Sequence, residues 1–221
     1  LGMINPNATR IPDAHYIWEA KYNGARITSS SPDYNPSAIH TDLWMPINQG
    51  TDPFLAMSFV NVIIEEGLFK PEFMKEQTDL PMLVRIDTGK LLREADLVEG
   101  GSDEVFYHWD LNTNKAVKAK GSMGDDDKTL KLGAVDPALE GTFTVEEGIK
   151  VTTVFEQVKL EAAKFTPEKT QEHTNVHPDI VRQEARHLAK AKKAIIMLGY
   201  ITSSYSNCLY TCWGYALTLA L

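Results

Sequence analysis

Residues 43–67 read LWMPINQGTDPFLAMSFVNVIIEEG, and this stretch decides the fold class. It predicts a short strand at 43–45, a loop at 46–52 and a helix at 53–67. The helical part is apolar on almost every side, which indicates that the helix is buried. A strand joined by a loop to a buried helix is the repeating unit of α/β folds that contain a parallel sheet.

The same alternation is predicted on both sides of this stretch. Upstream we predict a strand end at 1–4, a loop at 5–10, a helix at 12–23 and a strand at 25–29. The side chains of the upstream helix that should face the core are Ala14, Ile17, Trp18 and Tyr22. Downstream we predict helices at 151–164, 167–173 and 178–191, a buried strand at 193–198, and a loop at 199–207 before a last helix. The predicted fold is therefore α/β, with a doubly wound, Rossmann-like parallel sheet.

The middle of the chain has a different pattern. Segments 105–110 and 115–118 flank a turn-forming Asn-Thr-Asn run, and this arrangement predicts a β-hairpin inside a surface insertion. We therefore divide the chain into an α/β segment at 1–95, an insertion with the hairpin at 96–148, and an α/β continuation at 149–221. Both ends are expected to lie inside a core, so we interpret the chain as a fragment.

The composition disfavours several classes of function. A net charge of −8 disfavours a nucleic-acid partner, which requires a basic face. Cys208 and Cys212 lack the spacing of a zinc or iron–sulfur motif, and the six histidines form no convincing zinc pattern. No targeting or membrane-spanning segment is recognised. The sequence therefore predicts no metal ligand in this chain and assigns no catalytic residue.

The first candidate binding motif is NPNATR at residues 5–10, between a predicted strand and a predicted helix. Backbone N–H groups and the helix dipole favour an anion at such a position. Asn5, Asn7 and Thr9 add polar side chains, and Arg10 can bind a phosphate through two hydrogen bonds. The alternative is an ordinary turn in which Thr9 caps the helix.

The second candidate motif contains Pro32, Asp33 and Tyr34, directly after the second predicted strand. In dinucleotide-binding folds an acidic residue at this point accepts hydrogen bonds from a ribose. Asp33 could equally accept from the amino and imino groups of a guanine. The alternative is an Asx-turn that stabilises the loop.

The third candidate motif contains Gly50, Thr51 and Asp52, directly before the buried helix. Asp52 could accept hydrogen bonds from a guanine, while Gly50 would let the backbone approach a ligand closely. The alternative is that Asp52 followed by a proline is simply a good start for a helix.

The three motifs follow three successive strand ends. Ligands of open α/β sheets bind at the edge where such strands end, so we expect the motifs to form one site. No Gly-x-Gly-x-x-Gly pattern follows the first strand, which disfavours an ordinary NAD site.

Four segments together resemble the catalytic subunits of molybdopterin oxidoreductases in the dimethyl-sulfoxide-reductase family. They are NPNATRIPDAH at 5–15, SPDY at 31–34, QGTD at 49–52 and KEQTDLPMLVR at 75–85. The last segment is similar to the nitrate reductase branch, and DPALEG at 136–141 is more similar to nitrite oxidoreductase.

This resemblance implies that the chain is a fragment of a catalytic alpha subunit holding molybdenum bis(molybdopterin guanine dinucleotide). Residues 1–95 would be a cofactor-binding segment, and residues 149–221 a truncated continuation of the molybdopterin-binding region. The loop at 199–207 would lie near the cofactor, although no role is assigned to its small polar side chains. The 4Fe-4S cluster and the molybdenum ligand would lie upstream of this chain, so the fragment alone should be inactive.

The activity implied for the intact subunit is that of a nitrite oxidoreductase or nitrate reductase, with oxygen-atom transfer coupled to iron–sulfur electron transfer. Alternatives are a perchlorate, chlorate or selenate reductase, or a relative of dimethylsulfide or ethylbenzene dehydrogenase. The implied partners are nitrite or nitrate, an iron–sulfur beta subunit, and a haem or membrane-anchor subunit, in a complex on the periplasmic or cytoplasmic face of a membrane. A non-catalytic Rossmann-like binding module is the alternative from another class.

Overall fold

The computed structural model describes residues 5–119, 132–145, 148–199 and 206–221. The chain divides into two compact units. The first comprises Leu1–Leu68 and Ala162–Leu219, and the second comprises Phe69–Glu161 and Ala220–Leu221. The predicted strand end at 1–4 and most of the predicted loop at 199–207 lie outside the described residues. The boundaries predicted at 95 and 148 stay a prediction.

The regular elements follow one another in this order: α1 (Pro6–Thr9), α2 (Ile11–Tyr22), β1 (Thr28–Ser31), β2 (Leu43–Pro46), α3 (Asp52–Glu65), α4 (Pro71–Gln77), β3 (Leu83–Arg85), β4 (Tyr107–Asp110), β5 (Lys115–Lys118), β6 (Thr142–Thr144), β7 (Lys150–Thr153), α5 (Val154–Ala162), α6 (Pro167–Thr174), α7 (Pro178–Lys190) and α8 (Cys208–Ala220). Short 3₁₀ turns occur at Ala38–His40 and Glu94–Asp96. The mixture of helices with parallel and antiparallel strands confirms the predicted α/β class.

The first unit contains a parallel pair of strands. β1 pairs with β2, with Thr28 opposite Leu43 and Ser31 opposite Pro46. The strand predicted at 25–29 begins later because the N–H of Ala25 still donates to the carbonyl of Ala20, which extends the turn that ends α2. Within the described residues this parallel sheet has two strands.

Two sequence predictions in the first unit are wrong. Tyr22, expected in the core, is 86% exposed at the end of α2, a helix in which only Ala14 is buried. The segment predicted as a buried strand at 193–198 forms no strand, and its Ile195 is 85% exposed. An apolar run becomes a buried strand only beside a strand that supplies hydrogen bonds, and no described strand pairs with this one.

α3 provides the core of the first unit, as the sequence predicts. Its buried apolar side chains are Leu55, Ala56, Phe59, Val60, Val62 and Ile63. The helix contacts α6 and α7. It also lies very close to α8, because a Cβ atom added at Gly214 would stand 2.8 Å from the Cβ atom of Ala56. A glycine at position 214 therefore permits the approach of the two helices.

The second unit is mostly antiparallel. β4 and β5 form the predicted hairpin, with Tyr107 opposite Lys118 and Asp110 opposite Lys115. A second sheet has the order β3-β7-β6. The shared core contains Leu83, Leu92, Tyr107, Trp109, Ala138, Val145 and Val151. The ring of Trp109 stacks on that of Phe143 at a centroid distance of 4.5 Å.

One helix boundary in the second unit differs from the prediction. The helix expected from residue 151 begins at Val154, and Lys150–Thr153 is the central strand β7. Val151, Thr152 and Thr153 are all β-branched, and such side chains favour a strand that has neighbours on both sides. Throughout the described ranges, each helix is too short or too polar to span a lipid bilayer.

Candidate functional site

The ends of β1 and β2 bring the second and third candidate motifs to one edge of the parallel pair. Ser31 lies opposite Pro46, so the loops that follow the two strands start side by side. The indole Nε1 of Trp44 donates to the carbonyl of Ser31 at 3.1 Å. The ring of Tyr34 meets the ring of Trp44 edge-on, with centroids 5.0 Å apart. Trp44 therefore ties the first loop to β2.

The first candidate motif is joined to the same edge by hydrogen bonds. The hydroxyl of Ser37 donates to the Oδ1 of Asn5 at 2.6 Å and accepts from the backbone N–H of Asn7 at 3.1 Å. The side-chain Nδ2 of Asn7 donates to the carbonyl of Pro36 at 3.1 Å, and its Oδ1 accepts from the indole of Trp18 at 2.8 Å. The side chains of Asn5 and Asn7 thus connect the first motif to the loop after β1.

Thr9 and Arg10 lie in the helical turn between the two asparagines and α2. The hydroxyl of Thr9 donates back to the carbonyl of Asn5 at 3.0 Å. Arg10, and not Thr9, occupies the N-cap position of α2, without a capping side-chain hydrogen bond. The guanidinium of Arg10 pairs with Asp13 at 2.6 Å and is 60% exposed. Its position leaves Arg10 accessible to an anion.

Pro32, Asp33 and Tyr34 are exposed after β1. The backbone carbonyl of Asp33 accepts from the hydroxyl of Ser31 at 2.7 Å and from the N–H of Asn35 at 3.0 Å. The side chain that stabilises this turn is that of Asn35, whose Oδ1 accepts from the N–H of Ser37 at 3.0 Å. The Asx-turn considered for Asp33 is therefore made by Asn35, and the Asp33 carboxylate faces solvent.

Gly50 and Thr51 shape the turn before α3. Gly50 has a φ of +78°, in the left-handed region that favours glycine, and a Cβ atom added there would meet no atom within 4 Å. The hydroxyl of Thr51 donates to the carbonyl of Asn48 at 2.7 Å. Thr51 is the N-cap residue of α3, but its side chain makes no capping hydrogen bond. The hydroxyl of Thr51 thus closes the turn, and the turn remains open beside Gly50.

Asp52 is the first residue of α3 and is only 5% exposed. Its Oδ1 has no hydrogen-bond partner among the described residues. Burial raises the pKa of this carboxyl group, because the charged form loses its hydration without gaining equivalent hydrogen bonds. A buried acceptor without a partner is an unfavourable arrangement unless a ligand supplies donors.

Three residues near the site were not identified from the sequence. Ser37 is the buried hydroxyl that joins Asn5 and Asn7. Asn207, directly before α8, donates from Nδ2 to the carbonyl of Gly50 at 2.6 Å. Tyr215 of α8 is 1% exposed, and its hydroxyl has no partner within the described part of the chain. Burial and the nearby Asp52 carboxylate both raise the pKa of Tyr215. An asparagine at the start of an apolar helix was the only visible signal for Asn207.

No group of three or more histidine, cysteine, aspartate or glutamate side chains that could hold a metal ion occurs in the described ranges. What this part of the chain presents is a set of hydrogen-bonding groups at one strand edge. The arrangement suits an extended polar ligand with an aromatic base, sugar hydroxyls and phosphates.

The sequence is similar to several curated alpha subunits. It is 65% identical over 219 residues to dimethylsulfide dehydrogenase subunit alpha of Rhodovulum sulfidophilum. This match covers 99% of this chain and 24% of that protein. It is 57% identical over 196 residues to chlorate reductase subunit alpha of Ideonella dechloratans, which covers 89% of this chain and 21% of that protein. It is 38% identical over 208 residues to respiratory nitrate reductase subunit alpha of Haloferax mediterranei. This match covers 88% of this chain and 21% of that protein. No protein-family model matches.

The fold is similar to that of acetylene hydratase from Pelobacter acetylenicus. The TM-score is 0.57 with 16% identity, over 96% of this chain and 19% of that one. At such low identity the likeness concerns the fold alone.

The relatives described above are oxidoreductase alpha subunits, and the chain is similar to one segment of each. The chain is a homologue of the alpha subunits of molybdenum oxidoreductases in the dimethyl-sulfoxide-reductase family, which confirms the resemblance found in the sequence. It spans about a quarter of the length of the curated relatives that it matches.

Proposed function

We propose that this chain is part of the catalytic subunit of a molybdenum oxidoreductase and binds the guanine end of a molybdopterin guanine dinucleotide. The observation that carries the proposal is Asp52, a buried carboxylate whose Oδ1 has no partner among the described residues. The homology to oxidoreductase alpha subunits supports the class of enzyme.

Guanine is a good chemical match for Asp52. The base presents its N1–H and its amino group side by side, and a carboxylate accepts two such hydrogen bonds through its two oxygens. Hydrogen bonds from these donors would stabilise the charged carboxylate and so offset the desolvation that raises the pKa of Asp52. Adenine has an acceptor at the corresponding ring position, so it would face the carboxylate unfavourably. The site therefore favours guanine over adenine.

The neighbouring residues suit the remaining parts of a dinucleotide. We propose that the carboxylate of Asp33, which is exposed after β1, accepts hydrogen bonds from ribose hydroxyls. Arg10 could exchange part of its pairing with Asp13 for a phosphate. The open space beside Gly50 allows a ligand to approach the backbone. The other proposed contacts are Asn5, Asn7, Thr9, Pro32, Tyr34 and Thr51.

The molybdenum centre, when bound, supplies the redox chemistry, and the residues of this chain bind and orient the far end of its cofactor. We propose that the 4Fe-4S cluster of the subunit and an iron–sulfur beta subunit lie outside this chain. A haem or membrane-anchor subunit is a further proposed partner. A non-catalytic module is disfavoured, because the curated relatives described above are named as oxidoreductase subunits.

The proposal is tested by replacing Asp52 in the intact enzyme. Asp52→Ala and Asp52→Asn should both weaken cofactor retention, because asparagine keeps only one acceptor oxygen and alanine keeps none. Loss of a charge-assisted hydrogen bond costs about 1.5–3 kcal/mol, which corresponds to a roughly tenfold to hundredfold change in affinity. The measurement is molybdenum and guanine nucleotide per purified subunit, after expression with ample molybdate.

Asp103→Asn is the matched control. It makes the same chemical change at a side chain that is 76% exposed, in the second unit, where it pairs with Arg93 at 3.7 Å. This variant should retain normal molybdenum and nucleotide. Full retention in Asp52→Asn would contradict the proposed guanine contact, whereas a shared loss in Asp103→Asn would mean that the assay reports general stability.

The substrate of the intact enzyme is a separate question. Identities of 65% and 57% to dimethylsulfide dehydrogenase and chlorate reductase, against 38% to a nitrate reductase, favour the first two as models for the activity. Nitrite and nitrate, the pair predicted from the sequence, stay a prediction. Turnover of the purified complex with dimethylsulfide, chlorate, perchlorate, selenate, nitrate and nitrite in separate assays would decide among them, because the residues described here bind the cofactor and not the substrate.

A further inference from the structure

We propose that Asn207 is a positioning residue for the guanine subsite, which it serves by holding the carbonyl of Gly50. This inference rests on the proposed function. The proposed role of Asn207 involves no direct contact with the cofactor. It acts on the turn that carries Asp52.

The contact joins two segments that are far apart in the sequence. The Nδ2 group of Asn207 donates to the Gly50 carbonyl at 2.6 Å, across 157 positions of the chain. Gly50 has a φ of +78°, a conformation that glycine can also leave easily. A hydrogen bond to its carbonyl removes part of that freedom. Asp52 follows two positions later, so the orientation of this turn sets where its carboxylate lies.

The packing of α8 against α3 holds Asn207 in position. The carbonyl of Asn207 accepts from the N–H of Thr211 at 3.2 Å, so the residue stands at the start of the helix. α8 lies against α3 through Gly214, where an added Cβ atom would approach the Cβ atom of Ala56 to 2.8 Å. The hydroxyl of Thr218 is 3.5 Å from the carbonyl of Ala56. Asn207 and Asp52 therefore begin two helices that lie against each other.

A simpler role for Asn207 is to cap α8 and nothing more. The two roles make opposite demands on the side chain. Capping needs an acceptor oxygen, which aspartate supplies at least as well as asparagine and glutamine supplies poorly. Holding the Gly50 carbonyl needs an N–H donor, which glutamine keeps and aspartate lacks.

The experiment compares Asn207→Asp with Asn207→Gln in the intact holoenzyme. Guanine nucleotide and molybdenum per subunit are measured at purification and at intervals during incubation, which gives the rate of cofactor loss. We expect Asn207→Asp to lose cofactor about fivefold to tenfold faster than the unchanged protein, and Asn207→Gln to recover most of the difference. The thermal unfolding temperature of the cofactor-free subunit should be nearly unchanged in Asn207→Asp.

Asn112→Asp is the matched control. Asn112 also donates from Nδ2 to a backbone carbonyl, that of Ala134 at 2.9 Å, but it lies in the second unit. It should leave the rate of cofactor loss unchanged. If Asn207→Asp retains cofactor normally and Asn207→Gln loses it, the capping role is correct and the inference is overturned.

Asp52→Asn, measured in the same way, separates this inference from the proposed function. Rapid cofactor loss in Asp52→Asn with normal retention in Asn207→Asp overturns only the role of Asn207. Normal retention in both overturns the guanine subsite and the positioning role together.

Discussion

The two units each contain a buried aspartate, and the two residues differ in what surrounds them. Asp110, 2% exposed, accepts from the N–H groups of Asp136 at 2.9 Å, Asn112 at 3.2 Å and Thr113 at 3.3 Å. The hydroxyl of Thr113 donates to it at 2.7 Å. Asp52, 5% exposed, has an Oδ1 without a partner among the described residues. The first carboxylate is a part of the fold, and the second is the one that we propose binds a ligand.

The pKa values of the two carboxyl groups are shifted in opposite directions. Hydrogen bonds from the backbone of Asp136 and the hydroxyl of Thr113 lower the pKa of Asp110. Burial raises the pKa of Asp52. Burial alone therefore does not separate a structural carboxylate from a functional one, whereas the number of donors around each carboxylate does.

The largest expected effect is on Asp110. Asp110→Ala would leave four donors without their acceptor, three on the exposed residues Asn112 and Thr113 and one on the half-buried Asp136. Because these bonds hold the turn after β4, we expect the second unit to lose about 3 kcal/mol of stability. Hydrogen exchange of β4 and β5 in the intact subunit should become faster, while cofactor content stays near normal. An unchanged exchange rate in the hairpin would break the comparison, because Asp110 would then not be structural.

A smaller effect on the stability of the second unit is expected from the protonation of His108. This residue extends the comparison of Asp110 and Asp52 to a buried group that is neutral. Its Nε2 also lacks a partner among the described residues, and it is 3% exposed. Burial lowers its pKa to about 4, so at neutral pH it is uncharged, and its unpaired nitrogen costs less than an unpaired buried charge would. The pKa of His108 is about 4 in the folded protein and about 6.5 in the unfolded chain. Between about pH 4 and pH 6.5 the unfolded chain therefore binds more protons than the folded protein.

Stability of the second unit should therefore be full above about pH 6.5 and fall as the pH drops through the window towards 4, by up to about 3 kcal/mol. Hydrogen exchange of the β4–β5 hairpin, corrected for the intrinsic pH dependence of exchange, measures this loss. His108→Phe should flatten the pH profile. A profile that is equally steep in His108→Phe would assign the acid sensitivity to another group.

The smallest expected effect concerns Asp52 in the absence of cofactor. Asp52→Asn replaces a buried carboxyl group, whose pKa is raised by burial, with an amide that carries no charge at any pH. We expect the cofactor-free subunit to become more stable by about 1 kcal/mol, because ionisation of the buried carboxyl group is unfavourable. Urea unfolding of cofactor-free protein at pH 7 measures this change. Loss of stability instead would indicate that Asp52 has a protein partner in the intact subunit, and it would place Asp52 in the same class as Asp110.

The hairpin and the longer helices were predictable from local sequence, because their patterns need no distant partner. The short α4 was not predicted, and α1 lies where a loop was predicted. The strand at Lys150–Thr153 was missed because it runs without a break into the helix that begins at Val154, and only the pairing with β3 and β6 separates the two elements. The run at 193–198 was misjudged for the opposite reason: its residues suit a strand, but no neighbouring strand is described. Strand formation depends on partners that a local pattern does not contain.

The candidate site was predictable only in part. The rule that ligands bind where parallel strands end brought attention to Asp33, Gly50 and Asp52. It could not indicate that the amides of Asn5 and Asn7 would be used for joining two loops. The contact of Asn207 with Gly50 could not be predicted, because this hydrogen bond depends on the packing of α8 against α3 and not on any local motif.

The raised pKa of Asp52 also bears on how the enzyme is assembled. In the empty subunit this carboxyl holds its proton to a higher pH than an ordinary aspartate does. N–H donors from a guanine would favour the ionised form, so cofactor insertion would release part of a proton to solvent. Insertion should then become more favourable as the pH rises through the titration range of the empty site, and the acidity of the compartment where the subunit matures would influence how completely it is loaded.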